Sequence, residues 1–254
     1  MKKVRLVIEY DGTNYVGWQT QNNGVSIQQS LETALKKVTK EDISLHASGR
    51  TDSGVHALAQ VAHFCTEARM PAQKYPFALN ALLPGDIRVR YAGDAPQNFH
   101  ARFDATSKRY RYAVYCGAHM HAFLRHTALH VHGAIDEAAL EQTAAAIMGR
   151  HDFRAFMAAG STLADTTREI FFSKWTRAGH MLYYDIEGSG FLYNMVRILV
   201  GTMLDIACGT LPIGAIERAL HTKLRACAGV TAPARGLTLM HVHYSGFNSE
   251  DFVE

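Results

Sequence analysis

The stretch VRLVIEYDGTNYVGWQTQNNGVSIQQSLETALKKV (Val4–Val38) decides the fold. Val4–Tyr10 is short, apolar and rich in β-branched residues, which predicts a buried strand. The connection DGTNYVGWQTQNNGV that follows is rich in turn formers. Ser26, with Gln29 three residues later, then makes a capping box and marks the start of a helix. Ile27, Leu31, Ala34, Leu35 and Val38 recur at helical spacing and give that helix one apolar face. Working outward, a strand is expected at Ile43–Ala47, a loop at Ser48–His56 and a second strand at Leu58–Cys65. Tyr75–Leu83 reads as a helix stopped by Pro84-Gly85, and Ile87–Tyr91 as another strand. The order is β-α-β-β-α-β.

The second half reads similarly. Strands are expected at Arg109–Tyr115, Glu169–Trp175, Leu182–Glu187 and Leu237–Tyr244, with a short additional one at His126–His132. Asp136 caps a helix carrying Leu140, Ala144, Ile147 and Met148. Phe191–Ala207 is strongly helical, and Pro212 opens a further helix to about Leu220. Without the additional elements the order is again β-α-β-β-α-β, the split βαβ or ferredoxin-like pattern. The expected class is α+β: two such units, 1–105 and 106–254, each an antiparallel sheet with helices on one face. No fixed-period sequence repeat accompanies the repeated pattern.

Composition sets the outer bounds. The 254 residues are 48% hydrophobic and 19% charged, enough to build a core in one or two domains. No apolar run reaches the roughly 18 residues of a membrane span, and Glu9 and Asp11 interrupt any signal-peptide core, so a cytoplasmic protein without membrane contact is expected. Cys65, Cys116, Cys208 and Cys227 are far apart, which excludes a zinc ribbon and a dense disulfide scaffold. A net charge of +3 is too mild to identify a nucleic-acid binder by itself. The charge is clustered, however: HARFDATSKRYR (His100–Arg111) sets Arg102, Lys108, Arg109 and Arg111 against a lone Asp104.

Candidate chemistry is narrow. GSGFLY (Gly188–Tyr193) lacks the third glycine of a dinucleotide fingerprint, and there is no GxxxxGK[ST]. Fourteen histidines include the pairs His119/His121, His130/His132 and His241/His243, but no carboxylate or cysteine stands at ligand spacing around them, so no metal is expected. ASGRTDSGVH (Ala47–His56) is more informative. Gly49 and Gly54 bracket Arg50, Thr51 and Asp52 in a loop between strands, a poor place for a packing residue and a good one for a carboxylate aimed into a cleft. The bland alternative is an Asx turn that closes the loop.

Arg197 lies in a helix that is apolar nearly all round, and a lone charge there needs an anion. Asp205 or Glu187 could serve locally, and Asp52 from the other half of the chain. In KRYRY (Lys108–Tyr112), Tyr110 and Tyr112 share one strand face and Arg109 and Arg111 the other. An aromatic beside positive charge can stack a base, a contact typically worth about 1–3 kcal/mol. Core packing is the alternative for either tyrosine.

These residues resemble a known family. GRTDSGVH (Gly49–His56) is similar to the signature loop of the tRNA pseudouridine synthase A family. IEYDGTNYVGWQ (Ile8–Gln19), SIQQSLE (Ser26–Glu32), LNALLPGDIRV (Leu79–Val89), FHARFDATSKRYRY (Phe99–Tyr112) and FLYNMVRILVG (Phe191–Gly201) are similar to further blocks in the same order. The resemblance covers essentially the whole chain. Ala59 stands where many members have glycine. The resemblance implies the pseudouridine synthase fold, two α/β units around a cleft, and isomerisation of uridine at positions 38, 39 and 40 of the tRNA anticodon stem-loop. It implies a homodimer, tRNA as partner, and neither metal nor cofactor. It makes Asp52 the catalytic aspartate, Arg50 the arginine that helps flip the base, Tyr110 the tyrosine packed on the uracil, and Arg197 the partner of Asp52. Arg102, Lys108, Arg109 and Arg111 are expected to bind RNA.

Two other classes compete. A non-enzymatic RNA-binding module would keep Tyr110 and the basic strand without needing Asp52. A histidine-based metal hydrolase would need carboxylate ligands that the sequence does not place.

Overall fold

The computed structural model describes residues 1–160 and 164–253. In chain order the elements are β1 (Lys2–Tyr10), α1 (Ile27–Thr39), β2 (His46–Ala47), β3 (His56–Thr66), α2 (Tyr75–Asn80), β4 (Ile87–Ala95), β5 (Ala105–Tyr115), β6 (Leu129–His130), α3 (Glu137–Ala146), β7 (Gly149–Asp152), β8 (Thr167–Ala178), β9 (Met181–Gly188), α4 (Met195–Ala207), α5 (Ala215–Thr222), β10 (Leu237–Tyr244) and β11 (Phe247–Asn248). This is a mixed α+β chain that forms two compact units: Met1–Lys108 with Thr238–Glu254, and Arg109–Leu237. The chain first crosses between the units after Lys108 and returns at Thr238. At the C-terminus β10 leaves its sequence neighbours and runs parallel to β3, with Thr238 opposite His56 and Leu239 opposite Ala57. Strand pairing over such a separation leaves no mark in local periodicity. Among the described residues no helix is long and apolar enough to cross a membrane.

In the first unit β1 lies between β4 and β3 and is antiparallel to both. β2 pairs with β3 antiparallel at His46↔His63 and Ala47↔Ala62. The order β4-β1-β3-β2 is that of a split βαβ unit. Ser26 caps α1 as its spacing predicts, its Oγ accepting from Gln29 N at 3.1 Å. Ile27, Leu31, Ala34 and Leu35 are buried along one face. The strand expected at Ile43–Ala47 shortens to His46–Ala47. Side chains of α1 replace the ladder there: Leu45 N donates to Glu32 Oε1 at 2.9 Å, and Gln28 Nε2 donates to Leu45 O at 3.3 Å. The helix expected through Leu83 ends at Asn80, whose side chain brackets Val89 N and O at 2.8 and 3.0 Å and so ties the helix end to β4.

In the second unit the sheet order is β5-β9-β8-β7, with β6 parallel to β5. β7 was not expected, since GRHD has neither apolar alternation nor β-branched residues. The helix read from Phe191 begins at Met195, because Asn194 takes a left-handed backbone at φ 59°. Asparagine tolerates that region better than most residues. α4 is buried almost all round, as its sequence implies, and packs against α3 and α5.

His63 of β3 shows how burial fixes a charge state. Its ring stacks on His46 at 5.2 Å and meets His100 edge-on at 4.8 Å. Nδ1 accepts from Ala101 N at 3.1 Å, which requires that nitrogen to be unprotonated. Burial first, then the neighbouring His100, His46 and Lys3, push its pKa down from 6.5 to about 4. The unfolded chain therefore binds a proton between these values that the folded chain does not. Unfolding free energy should fall as pH drops from about 6.5 towards 4. His63→Gln should lessen that fall by close to one proton's share, measured by urea unfolding across this range; an unchanged slope would contradict the assignment.

Candidate active site

The first unit presents the loop between β2 and β3. β2 and β10 both pair with β3, β2 at Ala62–His63 and β10 at His56–Ala57. The loop leaves β2 at Ser48, whose N–H donates to Val61 O at 2.7 Å. Further on, Val55 N donates to Asp52 O at 3.1 Å, closing a turn with Gly54 in third place at φ 78°. A positive φ there favours glycine. Asp52 opens this turn and is half-buried, while Arg50 is exposed.

The Asp11–Trp18 connection holds the loop from one side. Trp18 N donates to Thr51 O at 3.0 Å, and Gly54 N donates to Tyr15 O at 3.3 Å. Ser53 Oγ donates to the same Tyr15 carbonyl at 3.1 Å. Two glycines permit the approach. A Cβ on Gly12 would lie 2.1 Å from Val55 O, and one on Gly17, at φ 102°, 2.6 Å from Thr51 O. At the far end of the loop His56 Nδ1 accepts from Gly12 N at 3.1 Å and lies 3.1 Å from Asp11 Oδ1. The backbone of the loop is thus bonded from outside it.

The basic strand is less free than its composition suggests. Lys108 Nζ donates to Ser48 O at 2.6 Å, at the root of the Asp52 loop. In the second unit Arg111 grips the buried Asp185 of β9 with two bonds of 3.0 Å, from Nε to Oδ1 and from Nη2 to Oδ2. Arg109 Nε lies 3.7 Å from the same carboxylate. The two guanidinium groups also cover Phe172 and Tyr183, at 4.5 and 5.2 Å from the ring centroids. Arg102 is exposed.

On the opposite face of β5, Tyr110 and Tyr112 are buried, the alternation that the sequence predicts. Tyr110 meets Phe191 edge-on at 5.2 Å. Tyr112 is a core residue, its hydroxyl donating to Pro233 O at 2.8 Å. Arg197 is half-buried between the buried Val196 and Ile198. Its Nε donates to Ala232 O at 2.8 Å and its Nη1 to Asn194 Oδ1 at 2.9 Å, while Ala232 N donates to Arg197 O at 3.0 Å. Gly201 makes room for the segment held there, since its Cβ would lie 1.9 Å from Val230 O. Among the histidine pairs, His241 and His243 stack at 4.3 Å and both meet Glu250, a carboxylate that sequence spacing did not bring to them.

A profile described as tRNA pseudouridine synthase matches residues 6–104 and 143–245. The chain belongs to the tRNA pseudouridine synthase family. Members of this family isomerise uridine in tRNA, and the fold is the pseudouridine synthase fold. A tRNA pseudouridine synthase A of Syntrophotalea carbinolica is 46% identical over the full length of both chains. That of Geotalea uraniireducens is 43% identical, and that of Ruminiclostridium cellulolyticum 42%, each over 96% of this chain and the whole of the relative. Among solved structures, a chain of the archaeal box H/ACA sRNP Nop10-Cbf5 complex aligns with 98% of this chain at 11% identity and a TM-score of 0.37; this chain spans 49% of that longer one.

The sequence pointed to Asp52 through its glycine-bracketed loop, to Tyr110 through the basic strand, to Arg197 through its apolar helix and to Arg50 through the family resemblance. It did not point to the residues that bond the Asp52 loop or make room for it: Gly12, Gly17, Tyr10, Ser48 and Gln60. Gln60 carried one signal, an amide inside the otherwise apolar strand run HALAQVAHF (His56–Phe64). Gly17→Ala tests the outside grip on the loop. It imposes both a strained φ and a backbone clash, so it should destabilise the chain by more than about 1 kcal/mol in urea titration, where a tolerated glycine site would change by less.

Proposed function

We propose that this chain converts uridine to pseudouridine at positions 38, 39 and 40 of the tRNA anticodon stem-loop. The observation that carries the reading is the Asp52 turn: a half-buried carboxylate on a loop whose backbone is bonded from outside, in a chain of this family. The reaction breaks the C–N glycosidic bond and makes a C–C bond to the same base, so one fragment must be held while the base turns. Asp52 can act as a nucleophile at C1′ of the sugar or at C6 of uracil, or as a base that removes a sugar proton to give a glycal. The target base must leave its stack, at a cost of a few kcal/mol. Arg50, exposed beside Asp52, assists that step, and Tyr110 packs on the extruded uracil. Arg197 pairs with Asp52 and keeps it ionised, as an adjacent guanidinium does for a carboxylate. The enzyme works in the cytoplasm as a homodimer, without metal or cofactor.

RNA binding is electrostatic and led by shape. Arg50 and Arg102, being exposed, contribute the phosphate contacts most directly. Lys108 and Arg111 already bond protein oxygens, Arg109 stands beside the Asp185 carboxylate, and all three add their positive field.

Asp52→Asn keeps the shape of the side chain and removes its charge. It should fold and bind tRNA while pseudouridine formation, mapped by carbodiimide on an anticodon stem-loop substrate in EDTA, falls at least about a hundredfold. Turnover near the wild-type rate would overturn the reading and favour a binding module. Arg197→Lys loses the planar fork and should lose much activity, and Arg197→Met nearly all of it. In a stability cycle, Asp52→Asn with Arg197→Met should depart from additivity by about 0.5–3 kcal/mol. Strict additivity would separate the two residues.

Affinity for tRNA should fall steeply with salt, through counterion release. Arg50→Ala and Arg102→Ala should each flatten the slope of log affinity on log salt by about one. A flat wild-type response would contradict electrostatic binding.

A further inference from the structure

Behind the Asp52 loop, within the first unit, lies a polar chain that the proposed chemistry does not use. Gln60 of β3 and Ser48 are fully buried at 0% exposure, and Tyr10 of β1 is nearly so at 2%. Ser48 Oγ donates to Gln60 Oε1 at 2.6 Å, and Gln60 Nε2 donates to Gly49 O at 2.9 Å. The same Nε2 lies 3.5 Å from the Tyr10 hydroxyl, which is 2.8 Å from Thr51 Oγ1. A buried amide is costly unless its donors and acceptors are met, and here each bond it makes leads to the loop or to Tyr10.

The residues reached are Ser48, Gly49 and Thr51, which are three of the four immediately before Asp52. Trp18 and Tyr15 hold the same loop through its backbone from the Asp11–Trp18 side. Burial raises the Tyr10 pKa to about 12, so its hydroxyl keeps its proton and can donate to Thr51 while accepting from Gln60. A side chain chosen for packing alone in this strand would be apolar, as its neighbours Ala59, Val61 and Ala62 are.

We propose that Gln60 and Tyr10 are positioning residues for Asp52: the Gln60 amide fixes the loop at Ser48 and Gly49, the Tyr10 hydroxyl fixes it at Thr51, and together they set where the Asp52 carboxylate stands. This rests on the reading of Asp52 as the catalytic group. Displacing a reacting group by about 1 Å can cost on the order of a hundredfold in rate, so the effect belongs in the chemical step and not in tRNA binding.

The test uses the full chain and a tRNA transcript carrying the anticodon stem-loop. Gln60→Met keeps much of the volume and removes the amide, and Tyr10→Phe removes only the hydroxyl. For each, the single-turnover rate at saturating enzyme, the tRNA Kd and the thermal midpoint are measured, with rates taken well below the midpoint. Positioning predicts a rate loss of about tenfold or more for Gln60→Met and a smaller loss for Tyr10→Phe, with Kd within about threefold of wild type. Thr51→Ser, which keeps the hydroxyl, should lie far closer to wild type in rate than Thr51→Val. Adding Tyr10→Phe should slow Thr51→Ser further but leave Thr51→Val unchanged, since the bond is already gone there.

Wild-type single-turnover rates in both Gln60→Met and Tyr10→Phe, whatever their midpoints, overturn the proposal. So does a loss confined to Kd. If Gln60→Met does not fold, the Tyr10 and Thr51 variants decide alone, and additive rate effects in that cycle count against it. Asp52→Asn runs alongside. If it turns over, the catalytic reading has failed and the positioning claim with it. If it is inert while Gln60→Met and Tyr10→Phe are unimpaired, only the positioning claim has failed.

Discussion

The Asp52 loop depends on one close approach of backbone to backbone. Trp18 donates to Thr51 O, Tyr15 O takes donors from Ser53 and Gly54, and Gly12 and Gly17 leave no Cβ in the way. A loop at the end of two short strand pairings would otherwise sample many conformations, at roughly 1–2 kcal/mol of backbone entropy per residue when it settled. Tying its carbonyls and N–H groups to a neighbouring segment meets that cost in the folded protein, before any substrate arrives. The rest of the first unit serves this approach. β1 leads into the Asp11–Trp18 connection, α1 leads out of it, and β3 carries the far limb of the loop. Catalysis that relies on geometry needs a carboxylate held in place in advance.

The second unit solves a different problem, that of charge inside an apolar framework. Arg197 sits in a buried helix and satisfies part of its fork with the Ala232 carbonyl and Asn194. Arg109 and Arg111 face a single buried aspartate, Asp185, across two strands. A buried carboxylate between two guanidinium groups is held by geometry as much as by charge, since a bidentate pair fixes both planes. The positive strand is therefore partly an internal fastening. In the proposed RNA binding its contribution would be a field over the surface, with the exposed Arg50 and Arg102 supplying movable contacts.

Much of this was legible beforehand. The N-cap at Ser26 is read from its three-residue spacing to Gln29, the alternation of Tyr110 and Tyr112 against Arg109 and Arg111 from the period of 2 in a strand, and the apolar envelope of α4 from its near-continuous apolar run. The loop GRTDSGVH announced itself by placing a carboxylate between glycines. Less legible were features with partners distant in sequence. Leu45 looked like strand, but Glu32 and Gln28 of α1 supply the bonds that a ladder would have given. His63 looked like any histidine, yet burial beside His46 and His100 keeps it neutral well below its ordinary pKa.

From local pattern, and from blocks that match along the chain, came most of the elements, the α+β class, the family and the residues proposed to act. Only the tertiary structure decided that Leu237–Tyr244 runs beside β3, that Lys108 bonds the root of the Asp52 loop, that Asp185 collects two arginines, and that a buried Gln60 reaches both Ser48 and Gly49. The physical reason is the same in each case. A hydrogen bond or ion pair depends on distances of about 3 Å in space, and residues from 11 to 182 apart in the chain carry no periodic mark of meeting.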